Sequence, residues 1–129
     1  MLINDFCTVQ NLDNQPGSIK AALHWNSHHA IFEGHFPGQP VVPGVCMLQI
    51  TKELMELCLA RKIALRESGQ MKFLQFIDPR ITPDVDILIS FSQEENGLYT
   101  TSATLQKEKV IFFRFTGVFS ALQTDEGEI

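Results

Sequence analysis

The sequence predicts an α+β fold, an antiparallel sheet wrapped around one long helix. Three observations carry this. A single helix-period apolar pattern begins at Gly44, two strand-like segments precede it, and everything after it reads as strands divided by turn residues. With 129 residues the chain has the length of one domain. We expect a single domain over 1–123 and an acidic, frayed tail over 124–129.

Asp5 to Gln10 reads as a short strand, and Asn11 to Gly17 is turn chemistry. Ser18 to Trp25 places Ile19, Ala21 and Leu23 on one face, as a strand does. Asn26 to Val42 is loop-like, with a brief pairing possible at Ala30–Phe32. Pro43 suits a first helical turn, where its missing N–H costs nothing. Met47, Ile50, Leu54, Leu57 and Cys58 form the apolar stripe of a helix running from Gly44 to about Leu65, ended by Ser68-Gly69. Its first half is apolar nearly all round, which calls for cover from other structure. Gln49, Lys52, Glu53 and Glu56 make a polar stripe. Strands are expected at Met71–Ile77, around Val85–Phe91, at Leu98–Gln106 and at Val110–Leu122. Asp78-Pro79 breaks the first of these from the next. Glu94-Glu95-Asn96-Gly97 and Lys107-Glu108-Lys109 supply hairpin turns. The edge strands of such a sheet need cover, and a second subunit is one solution.

The composition, 44% hydrophobic and 19% charged, is that of an ordinary globular protein. A net charge of -5 argues against general nucleic-acid binding. Arg61, Lys62, Arg66, Lys72 and Arg80 could form a local basic rim for an acidic partner, or simply a solvated charged face. Cys7, Cys46 and Cys58 are an odd set without a CxxC pair, so no disulfide framework is implied and a reducing, cytoplasmic setting is expected. The start of the chain has neither a basic n-region nor a long apolar run, so no signal peptide and no membrane span are expected. His24, His28, His29 and His35 match no zinc spacing, and no metal or other cofactor is expected.

The chemistry gathers at Gly34-His35-Phe36-Pro37-Gly38-Gln39-Pro40-Val41-Val42-Pro43-Gly44-Val45. Glycines and prolines restrict this loop to few shapes. His35 stands nine residues before Gly44, the glycine that opens the helix. A neutral imidazole can take a proton near pH 7. The Gly44 N–H, unpaired at a helix N-terminus, can hold a carbonyl turning into an oxyanion. Together they suit proton abstraction beside a polarised carbonyl, such as that of a thioester. A lone loop histidine is also what a hydrogen-bonded structural residue looks like, and spacing alone does not separate the two.

The same segment resembles the signature of the beta-hydroxyacyl-acyl-carrier-protein dehydratases, which have the hot-dog fold. Gly34, His35, Phe36, Pro37, Gly38, Pro40, Pro43, Gly44 and Val45 sit in the family's register, Phe32 fits the aromatic run before them, and Lys72-Phe73 with Ile77-Asp78-Pro79 to Asp84 resembles the strand and turn after the helix. The resemblance implies two subunits paired edge to edge, with the acyl chain in a tunnel between them. It implies His35 as the catalytic histidine, Gly44 N–H as the carbonyl ligand, and Phe32, Phe36, Pro43, Val45 and Cys46 as walls of the acyl site. The family's acid falls fourteen residues after the histidine and works across the dimer interface. Here that position is Gln49.

An amide has no proton to give a departing hydroxyl. Losing a general acid costs about 10²–10⁴-fold in rate. Glu53, one turn further on, would substitute only for a deeper-seated substrate. The expected function is removal of water from a 3-hydroxyacyl thioester of acyl carrier protein or coenzyme A, in fatty-acid or polyketide-like synthesis. His35 and Gly44 would be catalytic, with Gln49 holding the hydroxyl. Two alternatives stand beside it. One is an incomplete subunit, pairing with a dehydratase paralogue that supplies the acid. The other is a thioesterase or acyl-binding module.

Overall fold

The computed structural model describes residues 1–34 and 38–122. Six strands form one antiparallel sheet: β1 (Cys7–Gln15), β2 (Ser18–Trp25), β3 (Ile63–Phe73), β4 (Asp84–Gln93), β5 (Tyr99–Lys107) and β6 (Val110–Ala121). Their order across the sheet is β1-β2-β4-β5-β6-β3. One helix, α1 (Gly44–Leu59), lies between β2 and β3 in sequence, and a 3-10 turn occupies Ala30–Phe32. No helix among the described residues is long and apolar enough to cross a membrane.

Period-two alternation places the core. Ile19, Leu23 and Trp25 of β2, Val85, Ile87 and Ile89 of β4, and Phe113, Phe115 and Phe119 of β6 are all buried. They pack in one cluster with Met47, Ile50, Leu54 and Met55 of α1. The helix thus buries Met47, Ile50 and Leu54 of its apolar stripe on the inner face of the sheet, the α+β arrangement the sequence predicts, whereas Leu57, read as part of the same stripe, is 54% exposed.

Ser18–Trp25 has the predicted bounds, and the turn at Glu94–Gly97 forms, with Gly97 at φ +87. The first strand runs further than predicted, through the segment expected as a turn. A bulge between Gln10 and Asp13, with Asn11 at φ 54, absorbs the irregular residues, and the turn shrinks to Pro16–Gly17. Ala30–Phe32 does not pair as a strand. His29 Nδ1 accepts the Ile31 N–H and starts a 3-10 turn instead.

The largest departure is the end of the helix. Helical pattern continues to Leu65 in the sequence, yet α1 stops at Leu59 with Ala60 in the left-handed region. Ile63, Ala64 and Leu65 pair with Ala121, Ser120 and Phe119 of β6. The Glu56 carboxylate accepts the Ile63 N–H at 3.0 Å and fixes the reversal. β3 bulges on either side of Glu67–Ser68, between Leu65 and Glu67 and between Ser68 and Met71, and a Cβ on Gly117, the partner of Ser68, would lie 2.8 Å from the Glu67 carbonyl oxygen. Ser68-Gly69, expected to end the helix, is therefore inside β3. The tail expected at 124–129 lies outside the described residues.

Candidate active site

The start of α1 leaves backbone donors without a side-chain cap. Pro43 is the N-cap and has no side chain to cap with, and the first turn carries no acidic residue. Cys46 and Met47 donate back to the Pro43 carbonyl at 3.0 and 3.3 Å. Among the described residues nothing accepts the N–H of Gly44 or Val45. Two donors at the positive end of the helix dipole are thus available to an anion or a polarised carbonyl. The Val42 N–H donates to Ile77 at 2.9 Å, which ties the segment before the helix to the one after β3. The Phe73 ring lies across Gly44, where any Cβ would run into it.

His35 and Phe36 lie outside the described residues. The loop around them is anchored on the side that is described. Phe32 is buried and stacks on Phe6 at 4.9 Å. Pro43 and Cys46 are buried, whereas Val45 is 73% exposed at the helix tip. Burial pushes the Cys46 thiol up, so it behaves as a core group and not as an activated thiolate. Burial, with the Glu53 carboxylate and Cys46 beside it, pushes Cys7 up to about 12.

Gln49 is half-buried on α1, and its Nε2 donates to Glu53 Oε2 at 2.8 Å. Glu53 is only 1% exposed. Its Oε2 also accepts the Leu2 N–H at 3.0 Å, and its Oε1 accepts the Ile3 N–H at 2.9 Å. Burial alone would raise this carboxyl, but the donors from Ile3, Leu2 and Gln49 outweigh it and hold Glu53 below the ordinary glutamate range. Glu53 therefore stays ionised near neutral pH and is acceptor-only. The polar stripe of the helix is thus not a solvated face. Glu53 and Glu56 both face inward and satisfy backbone N–H groups.

Sequence reasoning missed the role of the first six residues. They strap the helix to the loop that leads to position 35. Leu2 and Ile3 hold Glu53, Asp5 meets His29 Nε2 at 3.1 Å, and the Phe6 carbonyl accepts the Asn26 N–H at 2.8 Å. The available signal was Ile3 and Phe6, two apolar residues flanking Asn-Asp ahead of the first strand. Of the basic residues, Arg80 is paired with Asp78 at 2.9 Å and Arg61 donates to the Tyr99 hydroxyl at 3.1 Å. Among the described residues no group of three or more His, Cys, Asp or Glu is placed to hold a metal ion.

Residues 10–112 match the ApeI-like family, described as ApeI dehydratase. The chain belongs to this family. It is also 23% identical over 109 residues to the 3-hydroxyacyl-[acyl-carrier-protein] dehydratase FabZ of Rickettsia felis, a match covering 78% of this chain and 75% of that one. To FabZ of Rickettsia massiliae it is 23% identical over 95 residues, covering 67% of this chain and 66% of the relative. To FabZ of Proteus mirabilis it is 26% identical over 95 residues, with 67% and 63% covered. The chain thus spans about two thirds of the length of several of these relatives. The fold is shared with the dehydratase heterocomplex ApeI:P from Xenorhabdus doucetiae, at TM-score 0.67 and 18% identity over 88% of this chain and 97% of that one. It is shared too with a conserved protein of Pseudomonas aeruginosa, at TM-score 0.65 and 12% identity over 88% of each chain. A six-stranded antiparallel sheet with one helix is common ground with the hot-dog arrangement these comparisons indicate.

Proposed function

We propose that this chain is a subunit of a 3-hydroxyacyl thioester dehydratase that binds and polarises its substrate but draws the acid from a partner chain. The observation that carries this is the Gln49–Glu53 pair. Where a proton donor is needed there is an amide, bound to a carboxylate that three N–H groups hold ionised.

Dehydration breaks the bond from Cα to its proton and the bond from Cβ to oxygen, and forms a double bond between the carbons. In this reading His35 takes the α-proton. The Gly44 N–H, at the uncapped helix start, holds the thioester oxygen as charge builds there. Phe32, Phe36, Pro43, Val45 and Cys46 line the acyl site. The hydroxyl must leave as water, and neither Gln49 nor ionised Glu53 can protonate it. A partner that supplies a carboxylic acid completes the reaction. The family match and the FabZ relatives support a dehydratase, and the heterocomplex among the structural relatives supports two kinds of subunit. The substrate is a 3-hydroxyacyl group on acyl carrier protein or coenzyme A, handled in a cytoplasmic setting and without a cofactor. A second reading, a dehydratase that works alone with His35 moving both protons, is favoured by the intact Gly/Pro loop around His35.

The test is turnover of 3-hydroxyacyl thioesters by the purified chain alone, by the chain with a dehydratase paralogue, and by Gln49→Glu. We expect the wild type alone to be slower than the mixture by about 10²–10⁴-fold. His35→Ala should abolish the activity of the mixture. In Gln49→Glu the new carboxyl adjoins ionised Glu53, and two carboxyls so close retain one proton between them. That variant should gain activity without the partner. Full turnover by the wild type alone would establish the second reading.

A further inference from the structure

We propose that Glu53 is a positioning residue that locks the Gln49 amide in one sense, so that position 49 offers the substrate a carbonyl oxygen and discriminates for a 3-hydroxyl over a 3-oxo group. This inference rests on the acyl-thioester reading above and deepens it.

The lock follows from what each group can do. A carboxylate only accepts hydrogen bonds, whereas a primary amide donates from nitrogen and accepts at oxygen. Beside Glu53 the Gln49 amide has one tolerable orientation, Nε2 toward the carboxylate, where it donates at 2.8 Å. The flipped amide would set its oxygen against Glu53 Oε2, acceptor against acceptor. Glu53 cannot turn away to relieve this. It is buried, and the Leu2 and Ile3 N–H groups grip both of its oxygens. Gln49 Oε1 is therefore the end left for a ligand, and no described residue donates to it.

In the across-interface arrangement that the resemblance implies, the helix start of the facing subunit meets the thioester oxygen, and Gln49 Oε1 meets the group on the β-carbon. Donor and acceptor then set two opposite polarities along one acyl group. A 3-hydroxyl can donate to Oε1, while a 3-oxo group offers only a second acceptor. The pair thus selects the hydroxy substrate while contributing no proton to its loss. Selection and acid catalysis, which a single carboxylic acid could combine, are separated here.

The test uses amide analogues of 3-hydroxyoctanoyl-, 3-oxooctanoyl- and octanoyl-pantetheine, with nitrogen in place of the thioester sulfur so that nothing turns over. Their affinities are measured by calorimetry on the whole chain. Wild type should prefer the 3-hydroxy over the 3-oxo probe by about tenfold, the scale of one hydrogen bond exchanged for an acceptor–acceptor contact. Glu53→Gln removes the lock, because an amide partner accepts either orientation of Gln49. The preference should fall toward parity. A purely structural Glu53 would weaken all three probes alike and leave the ratio unchanged, which overturns the proposal. Gln49→Met keeps both backbone bonds to Glu53 and removes the acceptor, so it serves even if Glu53→Gln fails to fold. A ratio preserved in Gln49→Met also overturns the proposal. Equal binding of the hydroxy and oxo probes by wild type would sink the lock while sparing the acyl-thioester reading. Failure of wild type to bind any of the three would sink both.

Discussion

A buried glutamate beside a glutamine makes a clear electrostatic prediction at the scale of single residues. Glu53 has its carboxyl lowered from the ordinary value of 4.5, against the effect of burial, by three N–H donors. A group with a depressed folded-state value binds fewer protons folded than unfolded. Stability therefore rises with pH through that window. The contribution of Glu53 is present in full above 4.5 and is lost as pH falls through the depressed value. Thermal melts from pH 6 downward should show wild type losing stability in this range, with Glu53→Gln less stable at pH 6 and flatter below it. Equal slopes would mean that Leu2 and Ile3 do not depend on the charge. None of this was legible in the sequence, where Glu53 stood in a polar stripe with Lys52 and Glu56. The stripe was read correctly as one helix face. Its burial depended on the first residues folding back over it, and no local pattern encodes that.

At the scale of elements, the end of α1 is where propensity and structure part. Ala60, Arg61, Lys62, Ala64, Leu65 and Arg66 are good helix formers, and no glycine marks a stop before Gly69. Pairing of Ile63 to Leu65 with β6, and the Glu56 bond to Ile63, override them. The cost is visible at Ala60, which caps the helix at φ 56 and ψ 39 and donates to the Glu56 carbonyl. A non-glycine residue there pays about 1–2 kcal/mol. Glycine would recover this less its own extra chain entropy, about 0.5–1 kcal/mol. Ala60→Gly should therefore raise the urea midpoint by a net stabilisation of several tenths to about 1 kcal/mol, with no change in the m-value. A lower midpoint would show that the reversal is held open by something other than this cap. By contrast, the start of α1 and the strands β2, β4, β5 and β6 were legible. Pro43-Gly44, the clean alternation of Val85, Ile87 and Ile89, and Asn96-Gly97 each carry their own local reason.

For the whole molecule, the question is what covers its apolar rim. Val45 is 73% exposed and Phe76 is 82% exposed, and Phe73, Leu74 and Ile81 are exposed as well. These residues are not scattered. Phe73 lies on Gly44, and the Val42 bond to Ile77 holds the segment after β3 against the helix start. β3 is an edge strand, so an unpaired row of backbone groups adjoins the same apolar surface. Large aromatic side chains left in water beside a free edge mark a surface meant for a protein partner. That rim borders the Gly44 donors, so closing it would also shield the candidate site from water, which strengthens the oxyanion contact. Association and catalysis should fail together. Phe76→Ser should shift the chain toward monomer in sedimentation velocity and cut turnover of the mixture with its paralogue. The change touches no residue assigned to the chemistry. A Phe76→Ser protein that sediments as wild type and turns over at the wild-type rate would place the subunit contact elsewhere. Loss of turnover with assembly intact would instead make Phe76 part of the acyl site.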